Sequence, residues 1–420
     1  MREDYLHFLF KTKSLQNQFT TTQGEKMTIL DFGQHNFNAG PDFLMAKIQL
    51  EETQWIGHIE FHLKSSDWFA HKHDKDRAYD NVIAHFVYED DCEVFSGDYR
   101  LPTVELKELI QKDQFLNFDQ KLSAQTKIPC EKQFPNLEEG WIEEQLGEYL
   151  RQRLERKSVE ILKMLEECKG DRLQLLLKLL VRPFGAKVNG EAFLRLIEQM
   201  GPTQLRKIQG DIFKAEALLL GLSGLLPEDT DDPYLLEIKK EFSFMQKLWG
   251  LRPLNKVEWK SFRIRPSGLP PIRLAQLATV LSQSNNLSRI LDLKGIDEIQ
   301  RLFQVQPSAF WQEHYSFQKK TKAKSAQLSS AFVDLLMINC VVPFIYAMGK
   351  QLGQEQKQKD ALQFLENIKS EQNTIIRGWK QLGFKAKNAA QTQALIELKN
   401  ELCNEKKCLF CTIGTEVLRE

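Results

Sequence analysis

The chain has 420 residues, of which 42 % are hydrophobic, 27 % charged and 10 % aromatic. Those values exclude collagen-like, mucin-like and largely disordered sequences, and the length calls for more than one hydrophobic core. Basic and acidic residues balance at 57 each, so no global positive charge points to nucleic acid. The balance is uneven along the chain, however: residues 1–130 hold 14 Lys and Arg against 21 Asp and Glu, a net of −7, and the rest hold 43 against 36, a net of +7. An acidic front and a basic remainder predict two parts with different work.

Met1-Arg2-Glu3-Asp4-Tyr5-Leu6 has acidic residues where a signal peptide needs a basic start and an apolar run. Seven cysteines scattered over the chain do not make a secreted disulfide framework, so reduced thiols and a cytoplasmic location are expected. Residues 3–13 place Tyr5, Leu6, Phe8 and Leu9 close to one helical face, which predicts an opening amphipathic helix. Short β-type runs follow: Lys26–Phe32, then Phe43–Leu50 and Trp55–Lys64 as a hairpin around Glu51-Glu52-Thr53, then Asn81–Tyr88 and Thr103–Leu106. Past a polar connection containing Cys130 and Pro135, the helical period takes over, with an apolar stripe from Leu146 to Leu165 and further helices over Leu173–Leu180, Gly190–Met200, Pro202–Leu222 and Pro233–Trp249. Prolines 266, 270 and 271 interrupt helix before it resumes at Ile272. Ala331–Gly349 is almost wholly apolar but contains Asp334, Asn339 and Pro343, and it reads as a buried helix broken near Pro343 rather than a membrane span. The expected fold is therefore α+β. A small α/β domain of a helix and a mixed sheet occupies residues 1–115, a connector 116–137, a large helical domain 138–402, and a cysteine-rich tail 403–420.

Seven of the eight histidines lie within the first 85 residues, so imidazole is wanted in the small domain. In a strand, His58, Glu60, His62 and Lys64 share one face while Ile59, Phe61 and Leu63 share the other. Asp42 starts the opposite arm of the predicted hairpin, and antiparallel pairing can bring it beside Glu60. Two carboxylates on adjacent strands, with a cation two to four residues further on, form a site for Mg²⁺ or Mn²⁺ that acts on a phosphodiester. His71-x-His73, with Asp67, Asp74 and Asp76 nearby, reads either as a transition-metal or phosphate contact or as a capped, solvated turn. His85 reads as a core histidine. Cys403-x4-Cys408-x2-Cys411, with Cys130 as fourth ligand, suits Zn²⁺ or an iron–sulfur cluster, and the spacing does not separate the two. In the basic part, Arg151, Arg153, Arg156 and Lys157 form one candidate phosphate-binding run. Arg263, Arg265 and Arg273 beside Trp259 and Phe262 form a second, and Lys319, Lys320, Lys322 and Lys324 a third.

Pro41-Asp42 followed by Glu60-x-His62-x-Lys64 resembles the PD-(D/E)xK nuclease superfamily over residues 1–110. The resemblance implies a restriction-endonuclease-like core, with Asp42, Glu60 and the Phe61 carbonyl as metal ligands. It departs at the third motif position, where His62 stands in place of lysine, so water activation falls to His62 or Lys64. The full chain resembles an uncharacterised bacterial family, a domain of unknown function, through GPDF (40–43), EFHLKSSDW (60–68), HKH (71–73), YDNVIAHFVY (79–88) and CNEKKCLFCTIG (403–414); that family carries no activity with it. The expected function is a metal-dependent nuclease whose helical domain grips nucleic acid, with no membrane partner. The alternatives are an inactive nucleic-acid-binding or scaffold protein with a cysteine-held staple, and a small-molecule metallohydrolase centred on His71 and His73.

Overall fold

A computed structural model describes residues 2–36, 39–110, 115, 116, 119, 126–322 and 324–419; Asn38 and most of the connector up to residue 125 lie outside them. The architecture is α+β, as the sequence leads one to expect, and the chain divides into two units. Unit 1 holds residues 1–145, 381–384 and 397–420, and unit 2 holds 146–380 and 385–396.

Unit 1 opens with helix α1, Glu3–Lys11, which buries Tyr5, Leu6, Phe8, Leu9 and Phe10. Its acidic first turn and terminal lysine oppose the helix dipole. The strands are β1 (Gln18–Thr20), β2 (Lys26–Asp31), β3 (Gln34–His35), β4 (Phe43–Leu50), β5 (Thr53–Lys64), β6 (Val82–Glu89), β7 (Phe95–Ser96), β8 (Tyr99–Arg100) and β9 (Thr103–Glu105). The main sheet runs β1-β2-β4-β5-β6-β9, with β3 also pairing to β4. The expected hairpin is present: β4 and β5 pair antiparallel, from Leu50 opposite Thr53 to Phe43 opposite Ile59. By contrast β5–β6 and β6–β9 are parallel, so the chain must cross over between β5 and β6. That crossover carries the short helix α2, Asp67–Ala70, and two 3₁₀ turns, His73–Lys75 and Arg77–Tyr79.

On one side of the sheet the Phe10 ring lies 4.7, 5.1 and 5.5 Å from those of Phe43, Phe61 and Phe86. Ile59 and Ala84 join this core, as do Leu409 and Leu418 from the far end of the chain. Alternation then turns Glu60, His62 and His85 to the other side. That side is covered rather than open to water, since Trp68 and Tyr79 of the crossover cluster with Val82, Val94 and Leu101.

Unit 2 is helical, and it includes Arg172–Phe184, Ala186–Glu198, Ile212–Leu222, Pro233–Trp249, Pro270–Leu281 and Glu355–Asn367. The single helix expected over Pro202–Leu222 is two. Gly210 turns left-handed at φ +72°, and Asp211 caps the second helix by accepting the Lys214 N–H at 2.9 Å. The apolar stretch is not broken at Pro343. A π turn over Met337–Val341 widens the helix just before it, which absorbs the missing proline donor. The resulting helix, Ser330–Gln351, is long and apolar enough to cross a membrane, and 72 % of its apolar window is buried within the protein.

Candidate functional site

At the start of β4 and the middle of β5 the two predicted acids meet. The Asp42 N–H donates to Glu60 Oε2 at 3.0 Å, and the Phe61 N–H donates to Asp42 Oδ2 at 2.9 Å. Each carboxylate is thus fixed by the strand that carries the other. His7, from α1, places Nε2 at 3.1 Å from the same Asp42 oxygen.

The second Glu60 oxygen faces imidazoles. Oε1 lies 3.4 Å from His73 Nε2 and 3.8 Å from His62 Nε2. His62 Nε2 is in turn 3.1 Å from His71 Nδ1, while its Nδ1 is 2.8 Å from His85 Nε2. One ligand atom from each of His62, His71 and His73 falls within 4.8 Å of the others. The backbone accounts for this convergence: Lys72, between the two crossover histidines, is left-handed at φ +65°. A non-glycine residue rarely adopts that conformation, and here it reverses the chain so that both rings turn toward His62. Tyr79 then stacks on the His73 ring at 3.7 Å and holds it in place. Tetrahedral nitrogen ligands bound at about 2.1 Å sit about 3.4 Å apart, so the three imidazoles stand near the spacing of a first-row metal shell, with Glu60 Oε1 against two of them.

The site grades from sealed to open. His62 and His85 are at most 1 % exposed and Glu60 5 %, while His73 is half-buried and His71 is exposed. Burial, then the Asp42 charge, push Glu60 well above the ordinary carboxylate range. Burial, then the neighbouring histidines, push His62 down to about 3. His85 and His73 are lowered too, chiefly by burial. Neutral imidazole is the form that binds metal. His7 differs: burial opposes its charge, but the hydrogen bond and field of Asp42 outweigh that, and its pKa is raised. His35, stacked on Phe43 at 4.7 Å, is lowered to about 4 by burial and then by His7.

Other predicted residues stand elsewhere. Lys64 is exposed and in register with Glu89 at the far end of β5. Asp67 accepts the Lys64 N–H at 3.0 Å, and Asp76 accepts that of Ala78 at 3.0 Å, so both act as turn caps. In unit 2, Arg263 and Arg265 are exposed and Arg263 lies over the exposed Phe262 ring. Arg273 instead lies over Phe332 at 3.9 Å and donates to Gln276, and Trp259 is buried with its Nε1–H on the Ser223 carbonyl. Of the run on helix Glu139–Glu167, Arg153 is buried against Gln393 and Arg151 pairs with Glu148. Of the third run, Lys320 pairs with Glu313, and Lys324 donates to the Trp311 and His314 carbonyls. Cys130, Cys403, Cys408 and Cys411 all lie in unit 1.

One site residue escaped the sequence reading. His7 is the one polar side chain within Tyr5–Phe10, a signal that a buried polar partner waits on the sheet. His85, read as a core histidine, is buried, and its Nε2 lies 2.8 Å from His62 Nδ1.

Residues 3–374 match the family described as protein of unknown function (DUF2851), and the chain belongs to that family. No curated protein and no solved structure matches it.

Proposed function

We propose that unit 1 is a metal-dependent hydrolase of phosphodiesters, with nucleic acid as the substrate class. The observation that carries this reading is the Glu60 carboxylate, with one oxygen tied to the backbone of Asp42 and the other facing His62 and His73. The mixed nitrogen and oxygen donors suit Mn²⁺ or Zn²⁺ better than Mg²⁺, which prefers oxygen ligands and several waters. Glu60, His62, His71 and His73 would hold the cation, which when bound would supply positive charge to a phosphoryl oxygen and lower the pKa of a water. Asp42 orients His7 and stabilises its protonated form, which equips His7 to deliver a proton to a departing oxygen. The PD-(D/E)xK resemblance supports the substrate class, and within it His62 rather than Lys64 is the third motif residue at the site. Exposed Arg263 and Arg265 of unit 2 are the proposed backbone contacts.

The test is cleavage of single- and double-stranded DNA and RNA, and of bis(p-nitrophenyl) phosphate, with Mn²⁺, Zn²⁺ or Mg²⁺. Asp42→Asn and Glu60→Gln should each lower the rate by about a hundredfold or more with circular dichroism unchanged. A wild-type chain that cleaves none of these substrates with any of the three ions refutes the reading.

A second reading is an inactive nucleic-acid-binding or scaffold protein with a degenerate nuclease fold. It draws on the near-complete burial of Glu60 and the capture of Asp42 by His7 and Phe61. Its signature is a salt-dependent gel shift without turnover.

A further inference from the structure

His85 is a buried titratable group that the proposed reaction does not use. It lies on β6, between β5 and β9. Its N–H donates to the Pro102 carbonyl at 2.9 Å, and in the parallel register it stands opposite Glu60. Alternation along the strands therefore puts His85 on the same face as Glu60 and His62. The ring is fully buried, and Trp68, equally buried, lies with its ring centre 5.5 Å away. Only one of the two nitrogens has a partner among the described residues: Nε2 is 2.8 Å from His62 Nδ1, while Nδ1 meets neither donor nor acceptor.

The bond to His62 bears on which nitrogen of His62 is free. His62 Nε2 faces the rest of the site, 3.1 Å from His71 Nδ1 and 3.8 Å from Glu60 Oε1, and Nδ1 faces His85. Burial disfavours charge on either ring. A neutral imidazole carries a proton on one nitrogen and a lone pair on the other, so the contact has two arrangements. In the first, His85 Nε2 accepts from His62 Nδ1–H, and the His62 Nε2 lone pair points at His71 and Glu60. In the second, His85 Nε2–H donates to His62 Nδ1, and the His62 proton sits on Nε2, where it is donated to His71 Nδ1.

The first arrangement leaves the lone pairs of His62 Nε2 and His71 Nδ1 free to face one ion; the second uses both in a hydrogen bond. Two lone pairs 3.1 Å apart repel each other, so the first is stabilised by a cation and the second belongs to the metal-free chain. Each ring holds one proton in either arrangement. Exchange between them moves protons among nitrogens and neither gains nor loses any.

We propose that His85 is the positioning residue of the histidine site. By accepting the His62 Nδ1–H it holds the tautomer that offers Nε2 to a first-row cation, and this one hydrogen bond reverses direction when the site fills. The proposal rests on the metal site of the preceding reading and not on the reaction assigned to it. His85 is not among the three clustered ligands; it acts through His62.

The experiment is a Zn²⁺ titration of the full-length chain with heavy nitrogen in its histidines, read by proton–nitrogen NMR, which reports the nitrogen that carries each ring's proton. Occupancy is followed at the His73 ring, so zinc taken up elsewhere does not count. In the metal-free chain the His62 proton should sit on Nε2. With zinc bound it should sit on Nδ1, and Nε2 should show the shift of a metal ligand. His85→Phe keeps a ring but offers no acceptor, and it should weaken zinc binding by about tenfold to a hundredfold, whereas His85→Gln, whose side-chain carbonyl accepts the bond, should stay within about threefold of wild type. A residue that merely filled space would tolerate phenylalanine better than glutamine. The proposal is overturned by zinc on His62 Nδ1, by a His62 proton that stays on one nitrogen throughout, or by a folded His85→Phe chain that binds zinc as tightly as wild type. Should His85→Phe fail to fold, the His62 spectra of the wild-type chain decide by themselves. A wild-type chain whose His73 ring never senses zinc removes the metal site, and with it both this proposal and the hydrolase. A chain that binds zinc as described but cleaves no phosphodiester loses only the hydrolase.

Discussion

Glu60 is expensive to bury. Unfolded, a glutamate ionises near about 4.3; in the fold, burial and Asp42 hold its proton to higher pH. Between those two values the folded state carries the extra proton, so this group lowers stability as pH rises. His62, depressed to about 3, acts oppositely: its contribution is full above the unfolded histidine pKa and is lost as pH falls toward 3. The two are separated by comparing variants. Metal-free Glu60→Gln should be more stable than metal-free wild type at pH 8 by about 1–2 kcal/mol, and the difference should shrink toward pH 4. Urea denaturation across that range measures it. A wild type that is the more stable of the two at pH 8 contradicts the burial argument. The carboxyl pair was legible in the sequence because strand alternation and hairpin register are local rules. The partnership of Asp42 with His7 was not, since it joins a helix to a sheet edge through packing that no spacing encodes.

The parallel step from β5 to β6 explains why the histidines meet. A hairpin there would have placed His71 and His73 at a solvent-facing turn; a crossover lays them over the sheet. The close fit of this step is visible at Gly57, where a Cβ would stand 2.4 Å from Ile83 Cγ2 and 2.5 Å from the Asn81 carbonyl oxygen. That same carbonyl accepts the His58 N–H at 2.8 Å. Gly57→Ala should therefore destabilise unit 1 by about 1–3 kcal/mol and weaken the metal binding proposed for the histidine site. Calorimetry and metal titration of the same sample check the two effects together, and an unchanged midpoint would show that the strands can part without cost. Reading the sequence, the hairpin over 43–64 was plain and so was the break at prolines 266–271. The crossover was missed because its helix is a single turn, Asp67–Ala70, too short to show a period. The left-handed Lys72 carries no sequence signal, since lysine is no marker of that conformation.

Unit 1 is assembled from both ends of the sequence, with unit 2 contained between them. Leu409 and Leu418 fill the same core as α1 and the central strands, and each buried leucine is worth about 2–5 kcal/mol when removed. A chain ending at Ile396 should lose or sharply lower the unfolding transition of unit 1 while unit 2 melts unchanged. Differential scanning calorimetry of both chains tests this, and a truncated chain with both transitions intact would mean that residues 397–420 merely rest on the fold. The sequence did suggest an α/β part followed by a helical one, because composition and period change near residue 138. It could not assign the last segment to the first part, since that assignment depends on a few apolar contacts bridging nearly the whole sequence.

This arrangement also sets an order of events during synthesis. The sheet of unit 1 leaves the ribosome early, yet two of its core leucines are translated only after every residue of unit 2. Unit 2 has its complete sequence first and is free to fold while the sheet, with α1 already on its underside, waits for Leu409 and Leu418. The part of that core filled by Leu409 and Leu418 therefore stays incomplete for the time taken to make some 250 residues, an interval of about ten seconds or more.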